Sequence, residues 1–167
     1  MIDIVQGDLT KQSVDAIVNA ANSTLLGGGG VDGAIHAAAG PSLLEECRRL
    51  RHTTYRDGLP VGQAVATAAG KLPCRWVIHT VGPNRHRGQT DPALLTGCFV
   101  NSLKVAASIG ARSIAFPAIS AGAYGWEIAD VARVAAQAVA DPPSSIDLIR
   151  FVLFSTRDFE AFRQVLV

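Results

Sequence analysis

The chain has 167 residues, 49% of them hydrophobic, enough to bury one full core without metal or disulfide staples, so a single domain over residues 1–167 is expected. Fifteen Lys and Arg against 14 Asp and Glu leave a formal charge of +1, which excludes a strong global field toward nucleic acid or anionic membrane. Cys47, Cys74 and Cys98 are odd in number and lack any C-x-x-C spacing, which argues against disulfides and zinc and points to a reducing cytoplasm; no uncharged apolar run of about 18 residues offers a membrane span.

In chain order, the apolar β-branched runs are "IDIVQ" from Ile2, "AIVNA" from Ala16, "AVATA" from Ala64, "WVIHTV" from Trp76, "SIAFPAI" from Ser113 and "DLIRFVLF" from Asp147. Near-continuous runs of this kind read as strands buried on both faces. Helical patterns lie between them. After the glycines at Gly27–Gly30 a helix opens near Val31 and Asp32, and "AIHAAAG" continues it as a packing helix. From Asp91 to Ser108, Pro92 suits the first turn, Leu95, Cys98, Phe99, Ser102, Ala106 and Ile109 form a stripe, and Gly110 stops it. After Trp126, Ile128, Val131, Ala135, Ala138 and Val139 share a face before Pro142. Ser155-Thr156-Arg157-Asp158 reads as a capping box ahead of Phe159, Phe162 and Leu166. Strands interleaved with helices imply a three-layer α/β/α domain whose ligand sits beyond the carboxyl ends of its strands.

Gly28, Gly30 and Gly33 fit the dinucleotide fingerprint G-x-G-x-x-G, but five residues, Asn22 to Leu26, separate the strand from Gly27, and the position twenty beyond Gly33 is Thr53. No acid is there to hold a nicotinamide ribose, and no Lys-Ser or Lys-Thr follows to make a P-loop. A glycine loop before a helix either merely reverses the chain or lets backbone N–H groups approach an anion. "PAISAGAYGW", Pro117 to Trp126, repeats the arrangement with Gly122 and Gly125 between a strand and a helix. Two such loops at neighbouring strand ends favour a diphosphate grip.

Taken together, "QGDLT", "VNAAN", "GGGGVDGAIHAAAGP", "VIHTVGP" and "FPAISAGAYG", in that order, resemble the macrodomain family, in its MacroD-like branch. The resemblance implies an α/β/α macrodomain with a central mixed, mostly parallel six- or seven-stranded sheet that binds ADP-ribose. It further implies hydrolysis of mono-ADP-ribose esters on acidic protein side chains or on nucleic acid ends and deacetylation of O-acetyl-ADP-ribose, without cofactor or metal. The alternative is a reader that binds without turnover. A monomer is expected.

By the same resemblance, Asp8 would accept from the adenine amino group beside Leu9, and Phe154 would stack on adenine while Phe151 stays in the core. Gly30, Val31 and Asp32, with Ser120, Ala121, Gly122, Ala123 and Tyr124, would wrap the diphosphate mainly with backbone donors. Asn22 would hold the distal ribose and Asn19 would tie the loops together at the strand end. Asp32 is the residue expected to carry chemistry, orienting a water or a ribose hydroxyl while a substrate phosphate oxygen helps activate the water. An aspartate starts near about 3.9, and a helix N-terminus lowers it, which would leave Asp32 a weak base; as an N-cap it would have a structural job as well. Gly122 would stay small to admit the attacking water, and Tyr124 would cover the ribose.

Ala121 stands where many relatives carry threonine; with backbone donors retained, binding is expected to persist. Trp126 is expected to pack under its loop, with a place on the rim as the alternative. His36, one turn beyond Asp32, and His79, inside a strand, read as structural histidines, because no nucleophile or metal partner accompanies either. The runs "RRLRHTTYR" and "RHRGQ" read as solvated faces, with contact to a modified protein or nucleic acid as the alternative.

Overall fold

The computed structural model describes residues 1–166. Six strands form one sheet: β1 Ile2–Gln6, β2 Ala16–Ala21, β3 Ala64–Ala68, β4 Trp76–Val81, β5 Ser113–Phe116 and β6 Leu148–Leu153, in the order β1-β6-β5-β2-β4-β3. All neighbours are parallel except β3, which runs antiparallel to β4. Six strands, mixed and mostly parallel, is the lower of the two expected counts. Each apolar run forms a strand, but burial on both faces holds only for the central four. β1 and β3 lie at the edges and are half-exposed along much of their length.

Among the described residues five α-helices accompany the sheet: α1 Gly30–Ala39, α2 Pro41–His52, α3 Pro92–Ser108, α4 Ile128–Ala138 and α5 Thr156–Leu166. Helix α2 is the one the sequence pattern does not announce, because its basic residues mask an apolar stripe of Leu43 and Cys47. Gly40, at φ +84, breaks α1 from α2, and Pro41 starts the second helix where its missing N–H costs nothing. Asp91 caps α3 by accepting from Ala93 N at 3.0 Å. At α5 the Ser155 hydroxyl accepts from Asp158 N at 3.1 Å, the forward half of a capping box.

The period-2 alternation of the strands divides the core into two layers. On one face Ile17, Val77, Ala115 and Val152 pack against Ile35 of α1 and Leu43 and Cys47 of α2. On the other, Val18, Ile78, Ile114, Phe116 and Phe151 meet Leu95, Phe99 and Leu103 of α3, Val131 and Ala135 of α4 and Phe162 of α5. Phe116, Phe151 and Phe162 form a run of rings with centroids 5.6 and 5.1 Å apart.

One feature of the sheet positions the site. β2 pairs with β5 only at Ala16–Ile114 and Ile17–Ala115, whereas it follows β4 for six residues to Ala21. From β2 the chain proceeds to one side of the sheet and from β5 to the other, so this gap is the topological switch point, where a crevice opens beyond the strand ends.

Candidate functional site

A cleft of about 770 Å³ fills that gap. Its floor is Ala20 and Ala21 of β2, Pro117 and Ala118 after β5, and Val152 and Leu153 of β6. The glycine loop with the start of α1 forms one wall, and the loop from Ser120 to Tyr124 the other. The charged residues lining it are Asp8, Asp32 and Asp158; it has no Lys or Arg among the described residues of its lining. Any anion held here must be met by neutral donors, main-chain dipoles among them.

Those dipoles are present on both walls. The N-cap of α1 is Gly29, which provides no side-chain bond, so the first amides of the helix at Gly30 and Val31 open onto the cleft wall together with the positive end of the helix. Gly33 explains why the wall can form: a Cβ there would lie 2.5 Å from the Gly28 carbonyl oxygen, so only glycine lets the helix approach its own loop. Opposite, Gly125 N donates to Gly122 O at 2.9 Å and Trp126 N to Ser120 O at 3.3 Å, while the Ala123 and Tyr124 amides enter none of the loop's internal bonds. Ser120 takes φ +67 and its buried hydroxyl has no protein partner among the described residues.

Most of the expected site residues line this cleft: Asp8, Leu9, Asn22, Gly30, Val31, Asp32, Ser120, Ala121, Ala123, Tyr124 and Phe154. At one end Asp8 caps the 3₁₀ turn Leu9–Lys11, its Oδ1 accepting from Thr10 N at 2.9 Å and Thr10 Oγ1 at 2.7 Å. The Thr10 hydroxyl bond, then the Thr10 amide bond, hold the Asp8 carboxyl below its ordinary pKa, so it is an ionised acceptor at neutral pH. Phe154 beside it is 87% exposed, a ring with no packing role in the free chain, while Phe151 is fully buried.

Three expectations need correction. Gly122 does not line the main cleft but a smaller recess behind its loop; a Cβ there would meet nothing, and glycine is required instead by φ +74. Asn19 is fully buried beneath the wall and touches the cleft only through Asp32. Asp32 is the third residue of α1 rather than its cap, and burial, the largest effect on it, pushes its carboxyl above the ordinary aspartate value despite the helix end. Asn22 lines the cleft, yet its amide shapes the loop: Nδ2 donates to Gly27 O at 2.9 Å, and Oδ1 accepts from Thr24 N at 3.2 Å and from the Thr24 hydroxyl.

Asp32 is 5% exposed. Its Oδ1 accepts from Asn19 Nδ2 at 2.8 Å and lies 3.4 Å from His36 Nε2, while Oδ2 faces Gly28 at the cleft wall. Trp126 is buried under the second loop with Arg85 stacked 4.2 Å above its ring centroid, which removes it from the rim. The basic runs are largely exposed, except that half-buried Arg51 donates to Thr24 O at 3.0 Å and Tyr55 O at 3.0 Å and so braces the segment that leads to the glycine loop.

Residues 18–135 match the family model of the Macro domain. The chain belongs to the macrodomain family. This macrodomain is 58% identical to a macro domain-containing protein of Streptomyces coelicolor over 96% of its own length and 95% of the relative's. It is 54% identical to a protein of Escherichia fergusonii named O-acetyl-ADP-ribose deacetylase, over 84% of this chain and 78% of the other. Among solved structures, a variant of the Oceanobacillus iheyensis macrodomain with ADPR superposes with a TM-score of 0.91 at 42% identity, covering 98% of this chain and 90% of that one. The Trypanosoma brucei macrodomain in complex with ADP-ribose gives 0.87 at 36% identity, over 99% and 69%.

The glycine motif makes Asp32 conspicuous in the sequence, but nothing there marks Gly28 and Gly33 as partners in a backbone contact, or Asp158 as part of the lining. The signal for Gly33 is its place in a spurious dinucleotide fingerprint. In that fingerprint the third glycine allows a helix to pack closely on a strand; here Gly33 lets α1 close on its own loop.

Proposed function

We propose that this macrodomain binds ADP-ribose in the cleft and hydrolyses esters of its distal ribose, removing the acetyl group of O-acetyl-ADP-ribose and mono-ADP-ribose from acidic protein side chains. A cleft of this volume suits a nucleotide-sized ligand. Adenine lies between the Asp8 carboxylate and the Phe154 ring, and the diphosphate is gripped between the start of α1 and the loop from Ser120 to Tyr124. Relatives from Escherichia fergusonii and Citrobacter koseri that carry the name O-acetyl-ADP-ribose deacetylase support the ester chemistry.

The observation that carries the reading is Asp32: a desolvated carboxylate in the cleft wall, one oxygen fixed by Asn19 and the other turned to the glycine loop. Burial makes it a better base than an exposed aspartate, which corrects the weakness inferred from its helix position. A water held between Asp32 and a substrate phosphate oxygen adds to the ester carbonyl, Asp32 takes its proton, and as the acyl–oxygen bond breaks Asp32 returns that proton to the departing ribose oxygen. The products are the free carboxylic acid and the ribose hydroxyl. Both proposed substrates are esters, so one site treats them alike.

Calorimetric titration with ADP-ribose, run beside assays of O-acetyl-ADP-ribose and of a peptide carrying mono-ADP-ribosyl glutamate, tests this. Saturable binding with release of acetate and of free ADP-ribose is expected. Binding with neither release identifies a reader and overturns the hydrolase.

A further inference from the structure

Behind Asp32 lies a buried chain of polar groups that no packing argument requires. Asn19 on β2 and His79 on β4 sit opposite one another in the sheet register, on the face covered by α1 and α2, and both are fully buried. Asn19 Nδ2 lies 2.8 Å from Asp32 Oδ1 and 3.1 Å from His79 Nδ1. His79 Nε2 in turn lies 2.9 Å from Thr67 Oγ1 on β3 and 3.8 Å from Cys47 Sγ on α2.

Hydrogen-bond chemistry fixes the polarity of this chain. A carboxylate only accepts, so the Asn19 nitrogen, not its oxygen, must face Asp32. The second hydrogen of the same amide then points to His79 Nδ1, which must accept and therefore carries no proton. The imidazole proton sits on Nε2 and is donated to the Thr67 hydroxyl. Desolvation, the largest effect, and then the nearby His36 push the His79 pKa down to about 3, which keeps the ring neutral and able to accept.

We propose that His79 and Asn19 are positioning residues of the hydrolase: the neutral imidazole, as its Nε2–H tautomer, locks the Asn19 amide in the orientation that holds the Asp32 carboxylate toward the reacting water. This rests on Asp32 acting as the base. An unlocked amide turns its oxygen to the carboxylate, repels it, and lets Oδ2 swing from the cleft. The other titratable groups around Asp32 are His36 on α1, whose Nε2 is 3.4 Å from Oδ1, and Cys47 on α2, whose thiol burial pushes up to about 12 and so keeps uncharged.

The test compares His79→Leu, His79→Asn and Asn19→Leu with the unaltered protein and with Asp32→Ala, reading ADP-ribose affinity, kcat on O-acetyl-ADP-ribose and the acid limb of the kcat profile. The asparagine introduced by His79→Asn would keep an accepting oxygen where Nδ1 now lies; leucine removes it. The expectation for His79→Leu and Asn19→Leu is a kcat lower by about ten- to a hundredfold with unchanged affinity. Loss of the donated bond also moves the acid limb to higher pH, because that bond lowers the Asp32 pKa. His79→Asn should recover most of the rate. Imidazole ¹⁵N spectra of the unaltered protein, independent of any variant's folding, should show protonated Nε2 and bare Nδ1 from about pH 5 to 8, a range lying wholly above the His79 pKa. A protonated Nδ1, or leucine variants with full kcat and an unmoved acid limb, overturns the relay. If Asp32→Ala itself retains turnover, the base assignment has failed instead.

Discussion

Asp32 shows how a buried carboxylate opposes the stability of its own fold. Its pKa is raised on folding, so the folded state binds the proton more tightly than the unfolded chain, and stability falls as pH rises from the unfolded value through the folded one. Asp32→Asn keeps an oxygen for Asn19 and discards the buried charge. Thermal melts should therefore show this variant more stable than the parent at pH 8 and no more stable at pH 3, while hydrolysis is lost. A variant equally destabilised at both values would contradict the burial argument. At Gly33, where a Cβ would strike the Gly28 carbonyl, Gly33→Ala should cost about 1–3 kcal/mol in denaturant unfolding. Gly29→Ala, whose Cβ meets nothing and whose φ is −93, should change stability by less than about 1 kcal/mol. Asp32 and both loops are readable in the sequence because motif and strand ends coincide. The partnership of Asn19 with His79 is not, since 60 positions separate two residues that only the sheet register brings together. The direction of the Asp32 pKa escapes the sequence for the same reason: a helix end is local, whereas burial comes from the tertiary structure.

At the scale of elements, capping and apolar runs carry most of the information. The strands and the helices α3, α4 and α5 follow from runs, stripes and stop residues, because each has its period and its punctuation in adjacent sequence. Helix α2 is hidden, its two buried residues lying among three arginines and a histidine between Pro41 and His52. The short pairing of β2 with β5, which opens the cleft, has no local signal; it arises from the crossovers on either side. The helix α5 links stability to the site, since Phe162 anchors it in the core while Asp158 lines the cleft. Ser155→Ala removes its cap and should lower unfolding free energy by about 1 kcal/mol, measured by urea titration. No loss in that titration would mean the cap carries no weight.

Across the whole molecule, acid sensitivity should centre on the buried histidine rather than on surface ion pairs. His79 must enter the folded state neutral, with its pKa near 3 against 6.5 for an unperturbed imidazole in the unfolded chain, so the unfolded chain binds the extra proton between these values. Stability then falls on acidification by up to about 1.4 kcal/mol per pH unit across that window. His79→Asn removes the titration, and its unfolding free energy should change less steeply from pH 6.5 to 4 than the parent's; equal slopes would assign the acid response elsewhere. Exposed pairs such as Arg112–Asp147 contribute little by comparison.

The most direct measurement pairs the ADP-ribose dissociation constant with single-turnover hydrolysis of O-acetyl-ADP-ribose for Asp32→Ala and its parent. On the proposed mechanism the cleft grips the nucleotide with backbone amides and reserves Asp32 for the reacting water, so affinity should stay within about threefold while the rate drops by about a hundredfold or more. Unchanged turnover, or a loss of binding that accounts for the whole loss of rate, would contradict that division of labour.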